Sequence, residues 1–480
     1  MSTIKEAGTI SGMRLALLNG SYQSVANLYY LVARSIYIVV FARLLGVELY
    51  GYYVYSQSWY VLALTIATWG MNELVIAEHA RLKPTSRVSL VATGFSLRLI
   101  LSTVVALLVI AAALLFEPEG NLRLLIIIYA QGVVVRGTTS WFASLFVARQ
   151  RSQYWLYLTV PFLTLEVLVA VSLALSGAGL VAIAVAQCVI WWLLLFVTWF
   201  IYWQKFEPLS PGFDWKHVRY FLRNGPSLAL AAFILSFMGP GLLIVYRYFT
   251  DNGYQLGEAA FVIQVMVILG YMIKVVSNSA LPQLSPSLQN REQRQAFFVS
   301  VIWHQSLYLG GVVFLLCYWL LAPLVVQLIG QEFGGAADAF ARFSWLLIPL
   351  LIIYGLRAVL ISNRQMHGFL LAMVAGLALL LAQLFVLAFI EAINVASLLA
   401  ALGISYCLIA GIILALVRQR VDPLSMPRFA VPLLLMTACT ATFILCLDFS
   451  VVLAIVLGIL PLISASALDL KSSFRRTNSG

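Results

Sequence analysis

The chain has 480 residues, of which 62% are hydrophobic and only 10% are charged, and its formal net charge is +11. Soluble domains carry about 25% charged residues, so this composition excludes an ordinary soluble protein and predicts an all-α polytopic membrane protein. The positive balance predicts no nucleic-acid partner, because basic loops beside anionic membrane lipids account for it.

Apolar runs between charged breaks predict about fourteen membrane-spanning helices, since about 20 apolar residues match the roughly 30 Å hydrocarbon core. The predicted limits are 17–41, 52–77, 89–115, 124–147, 155–176, 179–203, 225–247, 258–281, 297–329, 343–363, 368–390, 395–417, 429–447 and 450–468. The ninth run is long enough to include an amphipathic lead-in along the membrane.

The first two predicted spans form a hairpin around the turn at 42–53, and each span carries an ionisable residue. Arg34 lies in the first span and Glu73 in the second. Because an arginine at mid-depth costs about 2.5–3.5 kcal/mol to insert, a charge inside a span predicts a functional site.

The seventh predicted span contains residues that interrupt helices. Pro226 lies near its start, and Gly239, Pro240 and Gly241 lie in its middle. Proline removes a helix hydrogen bond and clashes with the preceding turn, so we expect a kink or hinge at these positions. Broken helices at membrane depth usually line a cavity, and a kink with only a packing role is the alternative.

The distribution of basic residues predicts the orientation of the chain. With the N-terminus inside, the inner loops and tails hold 20 of the 29 Lys+Arg, the outer loops hold 4 and the spans hold 5. This bias follows the positive-inside rule and predicts that both termini are cytoplasmic.

A weak internal repeat relates the two halves of the chain at a shift of about 205 residues. Asn19 and Asn224 open the first and seventh spans, and Arg43 and Arg247 close them. Repeats with the same orientation are related by an axis along the membrane normal, so we predict two pseudo-symmetric six-helix lobes plus two C-terminal helices. The predicted domains are an N-lobe at 1–203, a cytoplasmic linker at 204–224, a C-lobe at 225–418, and two additional spans with a tail at 419–480.

Cations outnumber anions inside the predicted spans. The cations are Arg34, Arg98, Arg136, Lys274 and Arg357, and the anions are Glu73 and Glu166. Pairing, for example of Arg98 or Arg136 with Glu166, satisfies at most two cations. The remaining charges predict a watery cavity that attracts anions, with the five cations as substrate-binding residues. Snorkelling to the cytoplasmic surface is the alternative for Arg98 and Lys274.

No pattern of catalytic or metal-ligating residues competes with this interpretation. The four histidines are scattered without metal-ligand spacing, so neither a catalytic nor a metal site is predicted. The sequence has no phosphate-binding loop of the G-x-x-x-x-G-K-[ST] type, so no nucleotide cofactor is expected. The five cysteines lie in apolar runs without a C-x-x-C pair and are interpreted as small core residues.

Two stretches resemble a known family. The sequence ARLLGVELYGYYVYSQSWYVLAL at 42–64, followed by GMNELVIAEHA at 70–80, resembles the first hairpin of the polysaccharide transporter family. These are the Wzx-type O-antigen and oligosaccharide flippases of the MOP superfamily. The stretch from Gly257 through Ala280 to Leu284 resembles the eighth span of the same family, and the resemblance follows the span order over the whole chain.

The resemblance implies two six-helix lobes that open alternately to either side of a bacterial inner membrane. It implies an undecaprenyl-pyrophosphate-linked oligosaccharide as cargo, an O-antigen or exopolysaccharide repeat unit used in lipopolysaccharide or polysaccharide biosynthesis. Arg34 matches the first-span cavity arginine of such flippases by position. Membrane lipids and other polysaccharide assembly proteins are the further partners that the resemblance implies.

The expected energy source is an H⁺ or Na⁺ gradient, or else consumption of the cargo on the far side of the membrane. Glu166 is the predicted coupling carboxylate, because the pKa of a buried carboxylate responds to neighbouring cations. Glu73 is predicted to act as a gate by meeting an arginine of the other lobe, such as Arg357, and a static salt bridge is the alternative for both glutamates.

The sequence leaves several other functions possible. Lipid II-type precursors are the alternative cargo, and two extra C-terminal spans also occur in the flippases for such precursors. A MATE-type exporter is less favoured, since its cationic cargo requires carboxylates rather than arginines. A membrane glycosyltransferase or polymerase usually has a large outer loop, and the longest outer loop here, 330–342, is short. Transport without catalysis is therefore the predicted activity.

Overall fold

Helices account for the regular structure throughout the part of the chain that the computed structural model describes. The described residues are 2–79, 82–206, 211–250, 252–280, 291–363, 365–418, 426–447 and 450–478. The chain forms two compact units, Met1–Gln264 and Val265–Gly480. The predicted domain limits at 203, 224 and 418 follow the internal repeat rather than contacts, and they stay a prediction.

Unit 1 contains the first eight helices and the beginning of the ninth. These are α1 (Ser2–Thr68), α2 (Met71–His79), α3 (Pro84–Phe116), α4 (Gly120–Ala148), α5 (Gln153–Leu175), α6 (Gly179–Lys205), α7 (Trp215–Ser236), a π-helical segment (Phe237–Gly241), α8 (Leu242–Arg247) and α9 (Gly253–Ala280). The second of the two units begins within α9.

Unit 2 holds the remaining helices, several of which are short. They are α10 (Arg291–Leu316), α11 (Ala322–Leu328), α12 (Gly334–Phe343), α13 (Leu347–Ser362), α14 (Met366–Phe389), α15 (Val395–Arg418), α16 (Met426–Leu447), α17 (Val451–Ala454) and α18 (Leu460–Asn478). The segments Cys317–Leu321 and Ile455–Ile459 are π-helical, and Gln331–Phe333 and Ser344–Leu346 are 3₁₀-helical.

The helices confirm the predicted fold class. Eleven helical segments in the described ranges are long and apolar enough to cross a membrane, and the first, Leu18–His79, contains both arms of the predicted hairpin. Two shorter apolar helices, Ala430–Cys446 and Ile455–Asp469, correspond to the last two predicted spans. The chain is therefore an all-α polytopic membrane protein with about fourteen spans.

The first hairpin turns at one residue and ends earlier than predicted. Gly46 (φ 73°, ψ 170°) is the non-helical residue within α1, and its positive φ favours glycine. The second arm ends at Thr68, because Trp69 (φ 49°) and Gly70 (φ 65°) leave the helical region. Glu73 therefore lies on the short helix α2, with an exposed side chain, instead of inside a continuous second span as predicted.

The seventh span is longer than predicted and is interrupted at the expected place. It begins at Trp215 instead of 225, where the Asp214 side chain accepts a hydrogen bond from the Lys216 backbone N–H at 3.0 Å and caps the helix. The helix continues through Pro226. The interruption comes at Gly239 (φ −114°, ψ −112°) inside the π-helical segment. A helix break at this depth is consistent with a hinge, and the hinge role stays a prediction.

The longest outer connection is not an extended loop. Within 330–342 the chain forms a 3₁₀ turn and most of α12, whose buried Ala336, Ala337 and Phe340 pack inward. The prediction of a loop here was wrong, since a helix places these three apolar side chains on one face, where they are buried.

The last two predicted spans pack on the ninth. Buried side chains of α10, including Tyr308, Val312 and Leu315, form one cluster with Phe443 of α16 and Leu462 of α18. Polar contacts join the same helices, since Gln305 on α10 accepts a hydrogen bond from the Ser466 hydroxyl on α18 at 2.5 Å. The C-terminal pair of spans is therefore an integral part of unit 2. The five cysteines are free thiols, but only Cys188 and Cys439 are buried, and the interpretation as a core residue was wrong for the exposed Cys407.

Glycines allow the turn of the first hairpin to approach the beginning of α9 closely. A Cβ atom on Gly257 would lie 1.9 Å from the backbone oxygen of Val47, and one on Gly51 would lie 2.6 Å from the backbone nitrogen of Gly257. Small residues at helix crossings allow such backbone contact in membranes. The contact joins the first hairpin to the eighth span at the predicted outer side.

We expect Gly257→Ala to destabilise the folded protein by about 2 kcal/mol, because the added methyl group meets a backbone carbonyl that cannot rotate away. Thermal unfolding of the purified protein in detergent measures the change. Gly411→Ala is the matched control, since Gly411 lies in α15 with open space around its Cβ position. Equal melting temperatures for the two variants would contradict the packing role of Gly257.

Candidate functional site

The first-span arginine lies inside unit 1, where helices α1, α4, α5 and α6 pack together. Arg34 is partly buried and donates one hydrogen bond, from Nη2 to Oε1 of Gln57 on the second arm of the hairpin, at 3.1 Å. Its guanidinium also lies 5.2 Å from the ring centre of Tyr37. The contact with Tyr37 is a cation–π interaction, which leaves the other guanidinium N–H groups available.

Gln57 belongs to a buried network of amides and phenols. Its Nε2 donates to the hydroxyl of Tyr53 at 2.6 Å and to Oε1 of Gln187 at 3.4 Å. The Nε2 of Gln187 donates to the hydroxyls of Tyr37 and Tyr53 at 3.0 and 2.9 Å, and the hydroxyl of Tyr129 donates to Oε1 of Gln187 at 2.7 Å. The network links both arms of α1 with α4 and α6.

The fourth-span arginine lies beside an aromatic ring and a buried carboxylate. The Arg136 guanidinium is 5.4 Å from the ring centre of Trp191, and Trp191 Nε1 donates to Oε2 of Glu166 at 3.0 Å. Glu166 is buried, whereas Arg136 is partly exposed. A direct ion pair of Arg136 with Glu166, the alternative considered from the sequence, is absent among the described side chains, and Trp191 contacts both residues instead.

Tyr60 connects the two arginines. Its ring packs on Trp191 and on Tyr129, with centroids 5.2 and 6.0 Å apart, so it lies between the ring beside Arg136 and the amide network that Arg34 joins. Neither guanidinium has a carboxylate within 4 Å in the described part of the chain. Two arginines with unused donors therefore lie at the two ends of one network of amide and aromatic side chains in the unit 1 interior. Such an arrangement can bind a doubly charged anion.

The third-span arginine is fully buried and bonded to the protein. Arg98 donates from Nη1 to the backbone oxygen of Ala67 at 3.1 Å and from Nη2 to Oδ1 of Asn72. Ala67 lies in the last turn of α1, where carbonyl groups lack partners inside the helix. Arg98 thus bridges the break between α1 and α2, and it neither snorkels nor pairs with Glu166. Its role in cargo binding stays a prediction.

The two remaining cations lie on helices of unit 2. Lys274 is a residue of α9, and its side chain lies outside the described residues. Arg357 on α13 is partly buried, and its Nε has no hydrogen-bond partner among the described atoms. Cargo binding by these cations, gating by Glu73 with Arg357, and coupling through Glu166 all stay predictions.

Sequence reasoning missed the uncharged part of the site. Gln57 and Gln187 are buried polar residues in apolar spans, and this signal was present in the sequence. It also missed an ionisable pair in unit 2, where His304 Nδ1 on α10 lies 3.2 Å from Oδ1 of Asp469 on α18. Asp469 follows the predicted end of the last span by one residue, so it was not counted among the charges in the spans.

Comparison with solved structures shows that several membrane transporters share this fold. The chain is similar to a lipid II flippase, MurJ, in an inward closed conformation, with a TM-score of 0.71 and 12% identity over 94% of this chain and 98% of that one. It is also similar to an inward-facing multidrug resistance MATE family transporter of the MOP superfamily, with a TM-score of 0.62 and 13% identity over 83% of this chain and 94% of that one. At such identities the likeness shows the fold.

A third similar structure is a mutant of the Vibrio cholerae MATE transporter VcmN, with a TM-score of 0.54 and 13% identity over 86% of this chain and 99% of that one. Comparison with curated protein sequences finds no match. The family model described as polysaccharide biosynthesis protein matches residues 16–286, more than half of the chain, and confirms the resemblance noted in the sequence. The chain therefore belongs to the polysaccharide biosynthesis protein family.

Proposed function

We propose that this protein is a flippase. It moves an undecaprenyl-pyrophosphate-linked oligosaccharide, an O-antigen or exopolysaccharide repeat unit, from the inner to the outer leaflet of a bacterial inner membrane by alternating access. Both termini are then cytoplasmic, as the positive-inside bias supports. An ion gradient or consumption of the product drives the movement, and the protein performs no catalysis.

The observation that carries this proposal is that Arg34 and Arg136, neither of which has a carboxylate partner among the described side chains, lie at the two ends of one buried network of amides and aromatic rings. Guanidinium groups bind phosphate through two parallel hydrogen bonds, and such bonds are stronger where water is excluded. A pyrophosphate between a lipid tail and a sugar is an anion of the required charge. The family model for polysaccharide biosynthesis supports a glycan as the rest of the cargo.

The same geometry argues against a MATE-type exporter for cations. Such a cargo requires an accessible carboxylate, whereas Glu166 is buried and accepts a hydrogen bond from Trp191. A lipid II-type precursor is the second candidate cargo, supported by the similarity to MurJ over 94% of this chain. A membrane glycosyltransferase or polymerase is disfavoured, because the longest outer connection is largely occupied by α12.

The test is deletion of the gene followed by analysis of lipid-linked intermediates. We expect the polyprenyl-linked oligosaccharide to accumulate on the cytoplasmic leaflet and the surface polysaccharide to disappear. Accumulation of a peptidoglycan precursor would instead identify the lipid II-type precursor as the cargo. Unchanged intermediates of both kinds would contradict a flippase function.

A carboxylate at Glu166 is the proposed coupling group. We expect Glu166→Gln to preserve the fold and the hydrogen bond from Trp191 but to abolish the response of transport to an imposed pH gradient, since an amide cannot release a proton. Transport into vesicles of defined orientation, with and without the gradient, measures this response. Asp338→Asn on α12, distant in sequence from the arginine site, is the control. A normal response in Glu166→Gln would exclude this coupling site.

The interruption of the seventh span is the proposed hinge. We expect replacement of Gly239, Pro240 and Gly241 by alanine to slow transport about tenfold, with cargo affinity unchanged within about twofold, because hinges absorb large backbone changes at few positions. Rates in vesicles and equilibrium binding in detergent separate the two quantities. Pro226→Ala is the comparison variant, since α7 continues through Pro226 without a break. A triple variant with the normal rate would show that the interruption is architectural.

A further inference from the structure

We infer that Gln57 and Gln187 are positioning residues that hold the guanidinium of Arg34 for the cargo anion. This inference rests on the proposed function, in which Arg34 meets that anion. Both amides are buried, with exposed fractions of 2% and 1%, so neither can meet cargo directly in this conformation. They act through Arg34.

The chemistry of Arg34 determines the orientation of both amides. A guanidinium only donates hydrogen bonds, so the Gln57 atom that meets Arg34 must be the carbonyl oxygen. The Gln57 amide nitrogen then faces Tyr53 and Gln187. Because that nitrogen donates, the Gln187 atom that faces it must also be the oxygen. One cation at the edge of the network, Arg34, therefore determines which atom of each amide donates and which accepts.

The tyrosines complete the network and leave it no freedom to rearrange. The Tyr53 hydroxyl accepts from Gln57 and from Gln187, which occupies both of its lone pairs. It therefore donates its own hydrogen to the Tyr37 hydroxyl, 2.8 Å away. The Tyr129 hydroxyl on α4 donates to Gln187 on α6. Turning either amide would leave buried polar groups unpaired, which is costly in a low-dielectric interior.

This arrangement has a consequence for the guanidinium. One N–H of Arg34 is used by Gln57, and the Tyr37 ring lies 5.2 Å from its central carbon. Those two contacts restrict the rotation of a long side chain, and only one of its N–H groups donates a hydrogen bond within the described structure, so N–H groups remain for a bidentate ligand. A preorganised arginine binds its anion more tightly, because less side-chain entropy is lost on binding.

The test measures binding of a pyrophosphate probe to the purified full-length protein in detergent. The probe is farnesyl pyrophosphate, and farnesol is the neutral reference that reports binding of the lipid chain alone. We expect Gln57→Leu to weaken binding of farnesyl pyrophosphate about tenfold and to leave farnesol binding unchanged. Gln57→Glu should weaken it as much as Arg34→Ala does, since a carboxylate at this position neutralises the arginine.

A double-mutant cycle separates positioning from a general structural effect. If Gln57 acts through Arg34, adding Gln57→Leu to Arg34→Ala weakens binding no further. Gln187→Met should reproduce the effect of Gln57→Leu to a smaller extent, since it acts one hydrogen bond further away. Thermal unfolding identifies variants that fail to fold. Gln187→Met provides the measurement if the leucine variant is unstable, because it breaks the network without placing a charge beside Arg34.

The outcomes distinguish the inference from the function on which it rests. Loss of pyrophosphate binding in Arg34→Ala, together with normal binding in folded Gln57→Leu and Gln57→Glu, overturns the positioning role and leaves the flippase proposal intact. Normal pyrophosphate binding in Arg34→Ala overturns the cargo-anion role of Arg34 itself. Additive losses in the cycle also contradict positioning, because they show that Gln57 acts independently of the arginine.

Discussion

Arg34→Ala is expected to reduce transport of the lipid-linked cargo roughly 100-fold or more while the protein stays folded in the membrane. The side chain is partly exposed and makes one hydrogen bond to the protein, so its removal leaves a single buried acceptor, Oε1 of Gln57, without this donor. Loss of two charge-assisted hydrogen bonds to a pyrophosphate costs about 3 kcal/mol or more, and each 1.4 kcal/mol corresponds to a factor of ten.

The measurement is export of cargo in cells that lack the native gene, with the amount of folded variant determined in parallel. Arg34→Lys should recover only a small part of the activity, because a lysine ammonium lacks the planar, two-pronged geometry. Arg219→Ala is the matched control, since Arg219 is an exposed cation on α7 outside the arginine site. Full export by Arg34→Ala would show that Arg34 does not bind the cargo.

Arg98→Met is expected to have the opposite phenotype, with a loss of stability of about 3 kcal/mol that precedes any loss of transport. The guanidinium is completely buried and bonds both the last turn of α1 and Asn72 at the beginning of α2. Methionine has a similar volume but no donors, so the Ala67 carbonyl and the Asn72 amide oxygen lose their bonds to Arg98. A buried acceptor left without its donor typically costs about 1–3 kcal/mol, and this substitution leaves two.

Thermal unfolding in detergent and the folded yield from membranes measure this effect. Arg34→Met, the same substitution at the partly exposed arginine, provides the comparison and should change stability by less than about 1 kcal/mol. Asn72→Ala should reproduce part of the loss in Arg98→Met, since it removes one of the two acceptors. A stable Arg98→Met variant without transport would instead show that Arg98 acts in cargo binding.

The same pair of arginines shows where prediction from the sequence ended. Both are single cations in apolar spans, and the insertion cost is similar for both. Arg98 ends beside the helix break at Thr68–Gly70, whereas Arg34 ends beside Gln57 and Tyr37. Which partner a cation meets depends on the neighbouring helix and on the face of its own helix. Neither can be derived from hydropathy.

The sequence by itself determined the fold class, the number of spans, the interruption of the seventh span and the family. These properties are local, because insertion into a membrane depends on the apolar content of one segment at a time and a proline break depends on one residue and its preceding turn. The helical conformation of 334–343 and the end of α1 at Thr68 are exceptions, since burial and two positive φ angles there result from packing.

Only the tertiary structure decided the composition of the candidate site. Gln57 and Gln187 are 130 residues apart in the chain, and their amides meet because the second arm of α1 and α6 pack together. Uncharged amides cost less to insert than arginines, so they stand out less in an apolar sequence. Their importance comes from mutual hydrogen bonding in a buried network, and such bonding exists only after the helices have packed.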